Sequence, residues 1–131
     1  PAAKPVKGTI LVVDDQHSLR ILIRRLLTDE GYAVIEFSNG NEVLQHITMK
    51  KENPTAIFLD VMMPGMHGLE ACRRLRTMPG CDKIPVIMCT GRGQKQDILE
   101  ALQAGASDYI VKPFNREILL GKLGKVLGTP S

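Results

Sequence analysis

Ala56-Ile57-Phe58-Leu59-Asp60, running into Val61-Met62-Met63-Pro64-Gly65, decides how the rest of the chain is read. Four apolar residues between Pro54 and the Pro64-Gly65 turn describe a short strand buried on both faces. Such strands belong to parallel sheets, whose two faces are covered by crossover helices. Asp60 closes the strand at its carboxyl end, where ligands gather in the crevice of an open α/β sheet. A carboxylate there is a poor core residue, although a turn or helix-capping role would account for one such Asp taken alone.

Upstream, Thr9-Ile10-Leu11-Val12-Val13 is another β-rich run, and it ends in Asp14-Asp15. Leu19, Leu22, Ile23, Leu26 and Leu27 then recur at helical spacing as one buried stripe, with Gly31 as the terminator. Ile21 falls opposite that stripe among His17, Arg20, Arg24 and Arg25, close enough to the acidic pair to anchor a partner. A strand over residues 33–37 precedes Ser38-Asn39-Gly40, a cap signal for a helix over about 41–50 that buries Val43, Leu44 and Ile47.

Beyond the Pro64-Gly65 turn lies a helix carrying Leu69, Cys72, Arg73 and Leu75, broken by Pro79-Gly80. A fourth strand over 85–89 ends at Thr90. Past Gly91-Arg92-Gly93, a helix with Ile98, Ala101 and Leu102 stops near Gly105, and a fifth strand over 108–111 ends at Lys112-Pro113. Asn115 caps a last helix with inner stripe Leu119, Leu123, Val126 and Leu127, leaving Gly121 and Gly124 outside. Five strands alternating with five helices predict an α/β fold with a parallel sheet and right-handed crossovers.

At 131 residues the chain is long enough for one domain with a real core and short for two. The net charge of +3 is spread along a chain with only 4% aromatic residues, which argues against a nucleic-acid surface. Cys72, Cys81 and Cys89 form neither a CxxC pair nor a zinc spacing, so reduced thiols in a cytoplasmic protein are expected. No run approaches a membrane span, and the start lacks the apolar core of a signal peptide. Residues 1–8 read as a disordered leader or linker, 9–127 as the domain, and 128–131 as a linker or tail.

The polar residues at the strand ends, Asp14, Asp15, Asp60, Thr90 and Lys112, all fall on one edge of such a sheet. Three carboxylates brought together repel one another unless cations enter. Mg²⁺ suits them, being satisfied by a few carboxylates with water and phosphate oxygens. Lys112 adds a positive charge, and Thr90 a hydroxyl donor for an incoming oxyanion. These are the parts of phosphoryl transfer to an Asp nucleophile, giving an acyl phosphate.

Asp14-Asp15, Asp60-Val61-Met62-Met63-Pro64-Gly65-Met66-His67-Gly68, Thr90-Gly91 and Lys112-Pro113-Phe114 resemble the receiver domain of two-component response regulators, over about residues 9–127. The resemblance implies a flavodoxin-like three-layer sandwich with sheet order 2-1-3-4-5. It implies that Asp60 accepts a phosphoryl group from a phosphohistidine on a histidine kinase or phosphotransfer protein. Asp15 and Asp60 would ligate Mg²⁺ directly, Asp14 mostly through water, and the backbone carbonyl of Met62 would complete the set. Lys112 would pair with Asp60 and then with the phosphoryl group, Thr90 would move to hydrogen-bond that group, and Tyr109 would turn inward. The Lys112-Pro113 bond would be cis. The fourth helix, fifth strand and fifth helix would form the output face, read by a downstream effector or a second receiver. Such a protein is a switch that promotes its own phosphorylation and dephosphorylation rather than an enzyme with a separate substrate, and no direct nucleic-acid binding or membrane insertion is expected.

Three positions depart from the commonest pattern or vary within it. His67 stands where an acidic residue is frequent. Met62 and Arg92 flank the site, and neither is a carboxylate or amide able to orient an attacking water, so the phosphorylated state is expected to last minutes or longer. Two other classes fit the architecture less well. A flavodoxin-like FMN binder would need a hydroxyl-rich loop where this chain has Asp14-Asp15, and a phosphohydrolase would place its nucleophile on the first strand. A binding domain with a vestigial site is a third alternative, distinguished by its failure to respond to acetyl phosphate or beryllofluoride with Mg²⁺.

Overall fold

The computed structural model describes residues 6–50, 52–63, 66–91 and 93–128. The start of the leader, the Pro64-Gly65 turn, Arg92 and the last three residues of the tail lie outside the described residues. Strands and helices alternate throughout: β1 Thr9–Val13, α1 His17–Asp29, β2 Ala33–Phe37, α2 Gly40–Met49, β3 Ala56–Asp60, α3 Gly68–Thr77, β4 Val86–Thr90, α4 Lys95–Gln103, β5 Asp108–Val111 and α5 Arg116–Leu127. The sheet is wholly parallel in the order β2-β1-β3-β4-β5, as expected.

Because side chains alternate across a strand, the sheet feeds two cores. Leu11, Val13, Ile57, Leu59, Val86 and Met88 pack against α2, α3 and α4. Ile10, Val12, Phe58, Ile87, Cys89 and Ile110 pack against Ile23 and Leu27 of α1 and Leu119 and Leu123 of α5. Every residue of β3 is buried, which is why its sequence reads as an unbroken apolar run up to Asp60.

The helix ends follow from local chemistry. Asn39 accepts from Glu42 N at 2.9 Å and Asn115 from Ile118 N at 2.9 Å, each satisfying an amide that the helix leaves unpaired. Gly128 closes α5 in the left-handed region at φ 72°. The α1 stripe is narrower than its periodicity suggests: Ile23 and Leu27 are buried, but Leu22 is 44% exposed. Its side chain lines a groove with Leu19, Pro113 and Phe114 instead of lying under the sheet. The fourth strand begins at Val86, one residue later than expected, and ends at Thr90, which pairs with Val111.

Candidate functional site

Strand register brings the expected residues to one edge in a staircase. Val13 pairs with Leu59, so Asp14 lies level with Asp60. Asp60 pairs with Cys89, placing Thr90 one step beyond, and Thr90 pairs with Val111, placing Lys112 one step further. Lys112 N donates to Thr90 O at 2.8 Å, and the Lys112-Pro113 bond is cis.

Asp60 is 5% exposed and Asp14 1%, whereas Asp15 is exposed. One carboxylate oxygen from each of the three lies within 4.8 Å of the others. The Lys112 ammonium bridges the two buried acids, donating to Asp14 Oδ2 at 3.0 Å and to Asp60 Oδ1 at 3.1 Å. Asp14 is thus held as firmly by Lys112 as Asp60 is, a partnership that the motif alone does not disclose. Its other oxygen accepts from Gln16 N at 2.8 Å, and its amide donates to Phe37 O at 3.1 Å.

Burial, and next the charge of Asp14, push the Asp60 carboxyl up to about 6, although Lys112 and a backbone hydrogen bond from Met62 pull the other way. Burial alone would lower the Lys112 ammonium, but its hydrogen bonds and charge interactions with Asp14 and Asp60 outweigh that and raise it. Beneath them, the wholly buried Cys89 thiol is pushed far up by desolvation and stays neutral. One cation is therefore shared between two buried anions beside a third, exposed one, and the site remains short of positive charge.

Asp15, Asp60, Met62, Thr90, Asp97 and Lys112 border a cleft of about 480 Å³. Thr90 is buried at 6% exposure, while the Met62 side chain is 67% exposed, with its sulfur 3.1 Å from His67 Nε2. The end of β3 is shaped by Gly68, whose amide donates to Val61 O at 2.9 Å. A Cβ at Gly68 would meet the Asp60 carbonyl oxygen at 2.0 Å, so only glycine lets α3 begin this close to the acid.

Tyr109 is half-buried on β5. Its amide donates to Asp108 Oδ1 at 2.8 Å, and the Lys122 ammonium sits 4.2 Å from the centre of its ring. Asp108, 6% exposed, also pairs with Lys122 at 3.2 Å and Lys125 at 3.8 Å. This cluster beside the expected switch residue went unread in the sequence, where Asp108 is only the first residue of a strand. Asp97 was missed too; it belongs to the first turn of α4, and its Oδ2 is buried without a hydrogen-bond partner among the described residues. On α1, Arg20 does not share the open face with Ile21. Its guanidinium is turned onto Asp14 O at 2.6 Å and Glu36 Oε1 at 3.2 Å.

A three-layer α/β protein with three carboxylates, a threonine and a lysine on the carboxyl edge of its sheet is a flavodoxin-like fold carrying an acidic cleft suited to a cation and an oxyanion. Residues 10–123 match the family described as the response regulator receiver domain, and the chain belongs to that family of two-component signalling switches. It is 38% identical over 118 residues to the phosphate regulon transcriptional regulatory protein PhoB of Rhizobium meliloti, covering 90% of this chain and 51% of that protein. The chain thus spans about half the length of curated relatives it matches. Among solved structures, the chemotaxis protein CheY4 of Vibrio cholerae superposes with TM-score 0.85 at 32% identity, covering 95% of this chain and all of that one. The receiver domain of the sensor histidine kinase PA1611 of Pseudomonas aeruginosa, described with a magnesium ion coordinated in its active-site cleft, gives TM-score 0.84 at 29% identity over 93% of this chain and 98% of that one. Family membership decides against the flavin-binding and phosphohydrolase readings of the same architecture. Among the described residues no helix is long and apolar enough to cross a membrane.

Proposed function

We propose that Asp60 accepts a phosphoryl group from a phosphohistidine on a histidine kinase or phosphotransfer protein, in a Mg²⁺-dependent reaction. The observation that carries this reading is the Lys112 ammonium bridging buried Asp14 and Asp60, with exposed Asp15 completing a three-carboxylate cluster. An all-oxygen donor set that is short of positive charge suits a hard divalent ion. Asp14, Asp15, Asp60 and the Met62 carbonyl would hold it, and it would neutralise the charge between nucleophile and phosphoryl oxygens. The magnesium described in the PA1611 receiver supports the same assignment.

An Asp60 carboxylate oxygen attacks phosphorus, the P–N bond of the phosphohistidine breaks, and its electron pair returns to the imidazole. Lys112, already 3.1 Å from Asp60, supplies charge to the phosphoryl oxygens, and the Thr90 hydroxyl donates to one of them. Tyr109 then turns inward from beneath the Lys122 ammonium, linking the site to the output face of α4, β5 and α5. Leu99, Leu102 and Ile118, 42%, 43% and 46% exposed, give α4 and α5 apolar surface for an effector or a second receiver. Hydrolysis returns the carboxylate and inorganic phosphate. Met62 bears no group that activates water, so label placed on Asp60 is expected to persist for minutes; loss of most of it within seconds contradicts this.

The histidine donor is assigned to the α1 side of the cleft. Ile21 is 48% and Leu22 44% exposed there, beside a groove of about 430 Å³ lined by Leu19, Leu22, Pro113 and Phe114 and reaching Lys112. Ile21→Glu is expected to slow transfer from the kinase about tenfold or more, the scale of one interface anchor, while labelling by acetyl phosphate stays as in the parent. An unchanged transfer rate from the kinase removes Ile21 from the docking surface. The reading as a whole is tested by following phosphoprotein formation from acetyl phosphate with Mg²⁺ and with chelator: label that needs the metal is expected, and none under either condition overturns it.

A further inference from the structure

Arg20 stands apart from the other basic residues of α1. Its side chain is only 14% exposed, and each of its three guanidinium nitrogens has a partner. Nη1 donates to the Asp14 carbonyl oxygen at 2.6 Å, Nε to Glu36 Oε1 at 3.2 Å, and Nη2 lies 3.2 Å from His17 Nδ1. Arg24 Nη1 holds the other Glu36 oxygen at 2.9 Å, so the carboxylate on β2 is fixed from two turns of the same helix. The chain of contacts runs from the edge strand, through Arg20, to the peptide joining Asp14 to Asp15.

That peptide matters because it is planar. The Asp14 amide is tied to Phe37 O and its carboxylate to Gln16 N and Lys112. With the carbonyl gripped as well, the plane is fixed and with it the direction in which Asp15 leaves the strand. Asp15 is the exposed carboxylate of the three, without the burial that orients Asp14 and Asp60. We infer that Arg20, backed by Glu36, is a positioning residue for the metal site, aiming Asp15 by clamping the Asp14 carbonyl. The inference rests on the assignment of Asp14, Asp15 and Asp60 to Mg²⁺.

The sign of the effect separates positioning from simple electrostatics. A guanidinium near a cation site repels the cation, so if charge alone counted, removing it would tighten Mg²⁺ binding. Positioning predicts the reverse, on the scale of about 10-fold to 100-fold found for groups that orient metal ligands without touching the metal. Lysine keeps the charge but offers a single point donor in place of the planar fork that spans Asp14 O and Glu36.

The test is Mg²⁺ affinity by titration calorimetry, with melting in chelator as the check on folding, for the parent protein, Arg20→Ala, Arg20→Lys, Glu36→Gln, the Arg20→Ala/Glu36→Gln pair and Asp15→Asn. Expected are about tenfold or greater weakening in Arg20→Ala, weakening in the same direction in Arg20→Lys, and a Glu36→Gln effect that shrinks once Arg20 is gone. If Arg20→Ala binds Mg²⁺ as tightly as the parent or more so while Asp15→Asn does not, the positioning role is overturned and the metal site stands. If the parent itself fails to bind Mg²⁺, the metal assignment falls and takes this inference with it. If Arg20→Ala does not fold, Arg20→Lys decides, with parent-like affinity counting against the clamp.

Discussion

Asp60→Asn is expected to abolish labelling by a small phosphodonor and, in the metal-free protein near neutral pH, to raise stability. The first effect follows from chemistry, because an amide offers no carboxylate oxygen to form an acyl phosphate. The second follows from the Asp60 carboxyl, which burial and the charge of Asp14 raise to about 6. A carboxyl raised on folding favours the native state while protonated, so its contribution is fully present below its ordinary range near 4 and is lost as pH rises through about 6. A rise from near 4 to about 6 corresponds to about 3 kcal/mol, or on the order of 10 °C in melting temperature for a domain of this size. Asparagine fills the same space, still accepts a hydrogen bond from Lys112, and carries no charge. In chelator, the parent should therefore lose stability between pH 4 and 7 more steeply than the variant, and Mg²⁺ should stabilise the parent far more than the variant. Parallel pH profiles for the two proteins would contradict the electrostatic account of the cleft.

Lys112→Met is expected to be the most destabilising single change at the site. It leaves Asp14 and Asp60, 1% and 5% exposed, facing each other without the ammonium that bridges them. Breaking a buried ion pair from one side costs about 3–5 kcal/mol, a large part of the stability of a domain. Because Mg²⁺ would replace part of the missing charge, urea unfolding of the variant should respond to added Mg²⁺ more strongly than that of the parent. Labelling by acetyl phosphate should slow by about 10²–10³, the scale of losing one preorganised donor to a developing charge. A stability loss below about 1 kcal/mol would mean that the bridge is a surface-type pair.

The fold was legible because the pattern and the physics agree at each step. Unbroken apolar runs at residues 10–13, 56–59 and 86–89 need cover on both faces, and the helices between them supply it. The candidate site was legible for a related reason: every polar residue expected there stands at or just beyond a strand end, and parallel strands put those ends together. What stayed hidden depends on distance in three dimensions. Leu22 has the spacing of a core residue, yet it lies beside Pro113 and Phe114, a neighbourhood visible only once β5 is in place. Arg20 has the spacing of a solvent-facing residue, but its partner Glu36 lies 16 residues away on β2, brought close because β1 and β2 are neighbours. The Asp108 pairing with Lys122 spans 14 residues and appears only when α5 packs against β5. Helical and strand periodicities report which side of an element is apolar, and say nothing of which charge meets which.

The account turns on one carboxylate reacting in a pocket made tolerable by added positive charge. The measurement that tests this most directly is to treat the protein with acetyl phosphate, with Mg²⁺ and with chelator, trap the product with borohydride and map the modified residue by peptide mass spectrometry. A single modified site at Asp60, formed only with the divalent cation, is the predicted result. Modification confined to another residue, or modification of Asp60 to the same extent in chelator, would contradict it.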